Sequence, residues 1–235
     1  MDPKPITTGK IDDSTYWIQD EGTRCFLFIG DSKALLVDTG YGKSGSIKEI
    51  VDSLTDKPVM LVNTHTDWDH IGNNAEFDAA YMHPAEMAHY GTAKLSTPPA
   101  PLQDGEMIDI GGRTFEVVLI SGHTPGSIAL VDRANRIILP GDSLSGTRPM
   151  FLVGAHRSID AYILSMEKLL ELKNAGAFDT IYSAHGVFPL PSETVDKMLV
   201  AVRKLRAGDR PEPKDPPRPD IPAKTYEYDG ASFVF

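Results

Sequence analysis

The sequence predicts an α/β fold, a four-layer αββα sandwich of two mixed β-sheets flanked by helices. Three observations lead there. Runs of short strands followed by helices occur twice along the 235 residues, so each half carries a sheet and then helices. The run "PVMLVNTH" at 58–65 is apolar without alternation, which suits a strand buried on both faces. No G-x-x-x-x-G-K-S/T phosphate loop occurs, which removes support from the nucleotide-binding folds built on that loop.

The elements follow in order. "TYWIQ", "CFLFIG" and "ALLVDTG" read as strands punctuated by Gly and Asp. A helix is expected over 46–55. Ser46 and Glu49 have capping-box spacing, and Ile47, Ile50, Val51 and Leu54 form one apolar stripe. "AAYMHPAEMAHYG" reads as a strand then a helix, with Pro84 in the first turn and Gly91 at the C-cap. A loop containing Pro98, Pro99 and Pro101 follows. Strands are then expected at "GEMIDI", "RTFEVVLI", "SIALVD" and "RIILPGD". Two further helices, 158–173 and 192–206, are separated by the strand "DTIYSAHG". Their stripes are Ile159, Tyr162, Ile163, Met166, Leu169 and Leu170, and Val195, Met198, Leu199, Val202 and Leu205.

Residues 1–207 are read as the main domain and 208–235 as an appendage. Six prolines between Pro211 and Pro222 make an extended connector. "KTYEYDGASFVF" then forms a β-like arm with a turn at "YDGA". The arm is expected to fold back on its own domain, with a homodimer through the arm as the alternative.

Composition narrows the partners. The net charge is −10 and the basic residues form no stripe, which argues against nucleic acid. No apolar run reaches the roughly 18 residues a membrane span needs. The start "MDPKPITTGK" lacks the apolar core of a signal peptide, and Cys25 is the single cysteine, so a cytoplasmic protein acting on a small molecule is expected. Cys25, inside "RCFLFIG", reads as a buried core thiol.

Chemistry concentrates at strand ends. "VNTHTDWDHIGN" sets His65, Asp67, Asp69 and His70 within six positions. His123 lies in "SGHTPGS", Asp142 in "LPGDSL" and His185 in "YSAHG", each after an apolar run. Side chains at strand termini can converge from distant segments, as a metal site requires. Imidazoles suit Zn, Fe and Mn, and a carboxylate can bridge two ions. Asp142 is the candidate bridge between ions about 3.5–4 Å apart, which would share a hydroxide. Capping is the competing explanation for Asp69 and His70, ahead of a helix near Ile71. His83 is expected to cap the next helix and His89 to lie exposed within it. Trp68, Tyr41 and His156 are candidate substrate contacts. Met150 and Phe151 are read as part of a flap.

The set "HTDWDH", "GHTPGS", "GDS" and "AHG", preceded by "DTG" at 38–40, resembles the metallo-β-lactamase fold superfamily over roughly residues 10–207. The resemblance implies the αββα sandwich. It also implies one metal site from His65, position 67 and His123, and another from Asp69, His70 and His185, with Asp142 bridging. Asp38 would support the ligand loops from beneath. The usual first motif is His-x-His-x-Asp-His, and Asp67 replaces its second histidine. A third aspartate makes a two-ion core one charge less positive and harder, so Fe or Mn rivals Zn. In that respect the motif is similar to the flavodiiron branch, where a glutamate stands there.

The leading functional expectation is a metallohydrolase holding two divalent ions. It would turn a metal-bound hydroxide on a small ester, lactone, thioester, amide or phosphoester, with Asp69 steering the proton. The alternative is a flavodiiron-like dinuclear iron redox or oxygen-binding protein without the flavodoxin domain. A non-catalytic sensor or scaffold is the third, and seven intact ligand-type positions count against it.

Overall fold

The structure is a computed structural model that describes residues 4–93 and 95–235. The first three residues of the N-terminal segment read above lie outside them. The chain divides into two compact units, one ending at Val117 and one formed by Val118–Phe235.

In the first unit, β1 (Thr7–Asp12), β2 (Thr15–Asp20), β3 (Thr23–Ile29) and β4 (Ala34–Val37) make an antiparallel meander. Helix α1 (Ile47–Leu54) carries the chain to β5 (Val59–Val62), which lies parallel to β4. Strand β6 (Ala80–Met82), helix α2 (Pro84–Tyr90) and strand β7 (Pro99–Pro101) follow. β6 and β7 extend the parallel half of a seven-stranded sheet in simple sequence order. The Ser46 hydroxyl accepts from Glu49 N–H at 3.0 Å, the expected cap of α1. Ile47 and Val51 are buried against Leu36, Leu61 and Ala80 of the sheet. Cys25 lies in the same core, and burial pushes its thiol pKa well above the usual value.

Two readings need correction here. The Pro98–Pro101 stretch is not simply a loop, because Pro99–Pro101 forms β7 at the sheet's edge. Proline lacks the N–H that a further strand would need, so an edge tolerates it. Nor does a helix begin near Ile71. The segment turns, and its helical part is a single 3-10 turn at Asn74–Glu76. Strand β1 escaped sequence reading altogether. Its residues are largely exposed and polar, and no apolar alternation marks them.

The first unit closes with the antiparallel hairpin of β8 (Met107–Asp109) and β9 (Thr114–Leu119). Strand β9 runs on past Val117. The second unit adds β10 (Ile128–Asp132), β11 (Ile137–Leu139), β12 (Met150–Phe151), α3 (Ile159–Asn174), β13 (Thr180–Ile181), β14 (Leu190–Pro191) and α4 (Thr194–Ala207). Its main sheet runs β9-β10-β11-β13-β14, with β11 parallel to β13 and its other pairings antiparallel where registered. Tyr162, Met166 and Leu169 of α3 and Val195, Met198, Val202 and Leu205 of α4 pack with Ala129, Val131, Ile138 and Ile181 of the sheet. Gly208 ends α4 in the left-handed region, φ 84°. Both units therefore have the mixed sheet with helices that the sequence predicts.

The arm forms β15 (Thr225–Tyr228) and β16 (Ala231–Val234), joined through Asp229 and Gly230 (φ 73°). β16 pairs in parallel with β12, so Met150 and Phe151 are strand residues rather than a flap. Phe233 is fully buried, edge-on to Tyr162 with centroids 6.2 Å apart. The arm thus completes the core of its own chain. Among the described residues, no helix is long and apolar enough to cross a membrane.

Phe233→Ala is expected to cost about 3–5 kcal/mol of unfolding free energy, read by denaturant titration. A cost near zero would mean that the arm is dispensable. A pH effect is expected at α2. His83 Nδ1 accepts from Ala85 N–H at 3.2 Å, which requires the neutral ring, and burial lowers its pKa from the ordinary 6.5. The cap's stability is complete above pH 6.5 and disappears as pH falls through the lower folded-state value. The protection of the Ala85 amide relative to its intrinsic exchange rate should fall there in the wild type and hold in His83→Ser.

Candidate metal centre

The first unit gathers its ligand-type residues where β4 and β5 end. The chain leaves β4 at Asp38, whose φ of 64° is unusual for a residue with a side chain. That conformation turns the carboxylate under the neighbouring strand end. Asp38 Oδ1 accepts from Thr64 N–H at 2.8 Å, and Oδ2 accepts from the Thr64 hydroxyl at 2.8 Å. Oδ2 also accepts from His70 Nδ1 at 2.8 Å. The Thr64 hydroxyl, having donated to Asp38, accepts from His65 Nδ1 at 3.1 Å. One buried carboxylate thus places the protons of two imidazoles on Nδ1 and leaves their lone pairs on Nε2, the arrangement that metal-binding histidines adopt.

The ligand atoms of His65 and His70, of His65 and Asp67, and of Asp69 and His70 lie within 4.8 Å of one another. His65 Nε2 and Asp67 Oδ2 are 3.7 Å apart. Asp69 is buried, and its Oδ2 accepts from the Thr23 hydroxyl at 3.4 Å. Asp69 and His70 cap no helix, so the capping explanation falls away. His70 O accepts from Asn63 Nδ2 and from Thr39 N–H, tying the turn to both strand ends. Gly72 completes the fit: a Cβ there would lie 2.1 Å from the Tyr41 carbonyl carbon. The Tyr41 turn therefore lies directly against the ligand turn. Tyr41 and Trp68 meet edge-on, centroids 4.6 Å apart, with Lys43 Nζ 5.2 Å from the Trp68 ring.

The second unit gathers the other three. His123 Nε2 lies 3.4 Å from Asp142 Oδ2, and His185 Nε2 lies 2.9 Å from Asp142 Oδ1. Asp142 stands between the two histidines with one oxygen toward each. His123 Nδ1 donates to Phe151 O at 3.2 Å, so its Nε2 also carries the lone pair. Helix α3 braces both turns. Tyr162 donates to Ser143 O at 2.7 Å, Ser165 to Ser121 O at 2.7 Å, and Ser158 N–H to Gly122 O at 2.8 Å. Gly122 has φ 140°, and a Cβ there would strike the Tyr162 backbone at 2.5 Å. His156 is exposed on the loop before α3.

Sequence reading missed several residues. Thr64, Tyr162 and Arg157, which donates to His123 O at 2.5 Å, act through other residues' atoms and leave no local motif. Arg148 Nη1 lies 2.7 Å from His185 Nδ1 and 2.8 Å from Nε2 and donates to whichever nitrogen lacks the proton. Glu86 was legible in principle, as a charge on the inward face of α2.

The donor set fits a divalent cation in the first-row transition series. Each unit offers imidazole nitrogens beside carboxylate oxygens, and His65, His70 and His123 have the tautomer that frees Nε2. His65, Asp67, Asp69 and His70 are the candidate ligands of the first unit, and His123, Asp142 and His185 those of the second.

Comparison with known proteins agrees. The sequence matches the metallo-beta-lactamase superfamily over residues 18–178. It is 26% identical over 220 residues to the acyl-coenzyme A thioesterase MBLAC2 of Homo sapiens, covering 74% of this chain and 78% of that protein. It is 26% identical over 211 residues to a hydroxyacylglutathione hydrolase of Rhodopseudomonas palustris, covering 85% and 76%. Among solved structures, a metallo-beta-lactamase from Pontibacter korlensis superposes with a TM-score of 0.70 at 16% identity, over 84% of this chain and 99% of that one.

Asp38→Asn keeps a residue that tolerates the left-handed backbone but removes one acceptor oxygen. Metal affinity is expected to fall about 10–100-fold, measured by competition with a chromophoric chelator. Unchanged affinity would mean that Asp38 does not orient the ligands.

Proposed function

The chain belongs to the metallo-β-lactamase superfamily and is a hydrolase of that fold, and from that premise we propose that it cleaves acyl thioesters with divalent metal held by the ligands above. The observation that carries the reading is the common state of His65, His70 and His123. Each has Nδ1 engaged by the protein, so that Nε2 serves as the ligand atom. Thioesters are favoured over other acyl compounds by the relatives. One is named a thioesterase and another is named for an acylglutathione, whose acyl group also sits on sulfur.

When bound, the metal supplies Lewis acidity and a water whose pKa drops toward about 7. The residues of this chain do the rest. Asp69, held by Thr23, takes the proton of the attacking water. Attack at the acyl carbon breaks the carbon–sulfur bond, the proton taken up by Asp69 passes to the departing sulfur, and a carboxylic acid and a thiol are released. Trp68, Tyr41 and Lys43 offer an aromatic surface with a cation, suited to a thiol carrier bearing anionic groups. Arg148 is a guanidinium of the shape that carboxylate and phosphate prefer. His156 is a further candidate contact.

Asp67 distinguishes this centre. Its carboxylate makes the donor set harder, so we assign Fe or Mn as strong rivals to Zn. Metal analysis of the purified protein, with thiol release from acyl-coenzyme A, acylglutathione, oxygen-ester, lactone and β-lactam substrates, tests the reading. Thioesters should give the highest kcat/KM. Two irons with no hydrolysis of any of them would overturn it in favour of redox chemistry. Asp67→His should keep the fold and raise the preference for zinc over manganese. An unchanged preference would remove Asp67 from the ligand set.

A further inference from the structure

Helix α2 buries a carboxylate that no part of the proposed reaction uses. Glu86 is 1% exposed and shares the inward face of α2 with Tyr90 one turn later. A charge at an inward helix position breaks the usual apolar pattern and is retained only where it has partners. Its partners lie in the ligand turn. Glu86 Oε2 accepts from Thr66 N–H at 2.9 Å and from the Thr66 hydroxyl at 2.7 Å. Thr66 is the residue between His65 and Asp67, beyond the end of β5, where strand pairing no longer holds the backbone. A single oxygen therefore grips both the main chain and the side chain of Thr66 and sets the direction of the two ligands beside it. Their facing atoms stand 3.7 Å apart, a spacing that one ion with bonds of about 2.0–2.2 Å can span.

We propose that Glu86 is a positioning residue that sets the metal affinity of the His65–Asp67 pair through Thr66. The inference rests on the metal-dependent reading above. It adds a second carboxylate beneath the ligand turn, independent of Asp38 and reaching it from a different element.

The test is a titration of the wild type, Glu86→Gln, Glu86→Ala and Thr66→Val with Zn²⁺ and Mn²⁺ against a chromophoric chelator, with circular dichroism as the measure of folding. Glu86→Ala should bind about 10–100-fold more weakly. Glu86→Gln should stay close to wild type, because its amide oxygen still accepts both bonds. Thr66→Val, which keeps the N–H and loses the hydroxyl, should fall between them. Folded Glu86→Ala and Thr66→Val with wild-type affinity would overturn the role of Glu86 and leave the metal reading standing. A wild type that binds neither ion would overturn both. If Glu86→Ala does not fold, Thr66→Val decides: weakened binding supports the role, and unchanged binding overturns it.

Discussion

Asp38 is the constraint on which the candidate centre depends. An imidazole binds a metal through one nitrogen only if the other holds the proton, and in water neither tautomer is strongly favoured. A buried carboxylate decides the matter, directly at His70 and through the Thr64 hydroxyl at His65. It sits where β4 ends, in a left-handed conformation that aspartate tolerates better than most residues with a side chain. Strain at that backbone position is offset by three hydrogen bonds to one carboxylate.

The second unit solves the same problem with other parts. A backbone carbonyl takes the place of a carboxylate at His123, and a helix braces the ligand turns from behind. The exposed surface of that helix carries ordinary charges, such as Asp160 paired with Arg206, whereas its inner face spends Tyr162 and Ser165 on loop carbonyls. Packing and polar bracing come from the same residues. Tyr162 lies in the hydrophobic core while its hydroxyl holds Ser143. The arm that follows α4 packs Phe233 against Tyr162, so the C-terminal residues support the bracing helix.

The chemistry of the centre turns on charge. On the proposed reading, a histidine at position 67 would be a neutral donor, whereas Asp67 would add negative charge and a harder oxygen donor. Glu86 adds a further buried carboxylate near the same turn. On the same reading, a metal held there would be a weaker Lewis acid and hard cations would be favoured. Arg148 adds a guanidinium beside His185.

The sequence by itself determined the two-fold succession of strands and helices and the stripes of α1, α3 and α4, and it marked ligand-type residues after apolar runs, because apolar periodicity and residue type are local signals. Helix α1 shows this plainly: its cap and its stripe both lie within nine residues. The exposed strand β1, the prolines of β7 and the pairing of β16 with β12 were decided by tertiary structure, since each depends on a neighbour distant in sequence. So were the tautomers. A motif names a histidine, but the nitrogen that carries its proton depends on Asp38, Thr64 or the Phe151 carbonyl, and only folding brings those atoms within hydrogen-bond reach.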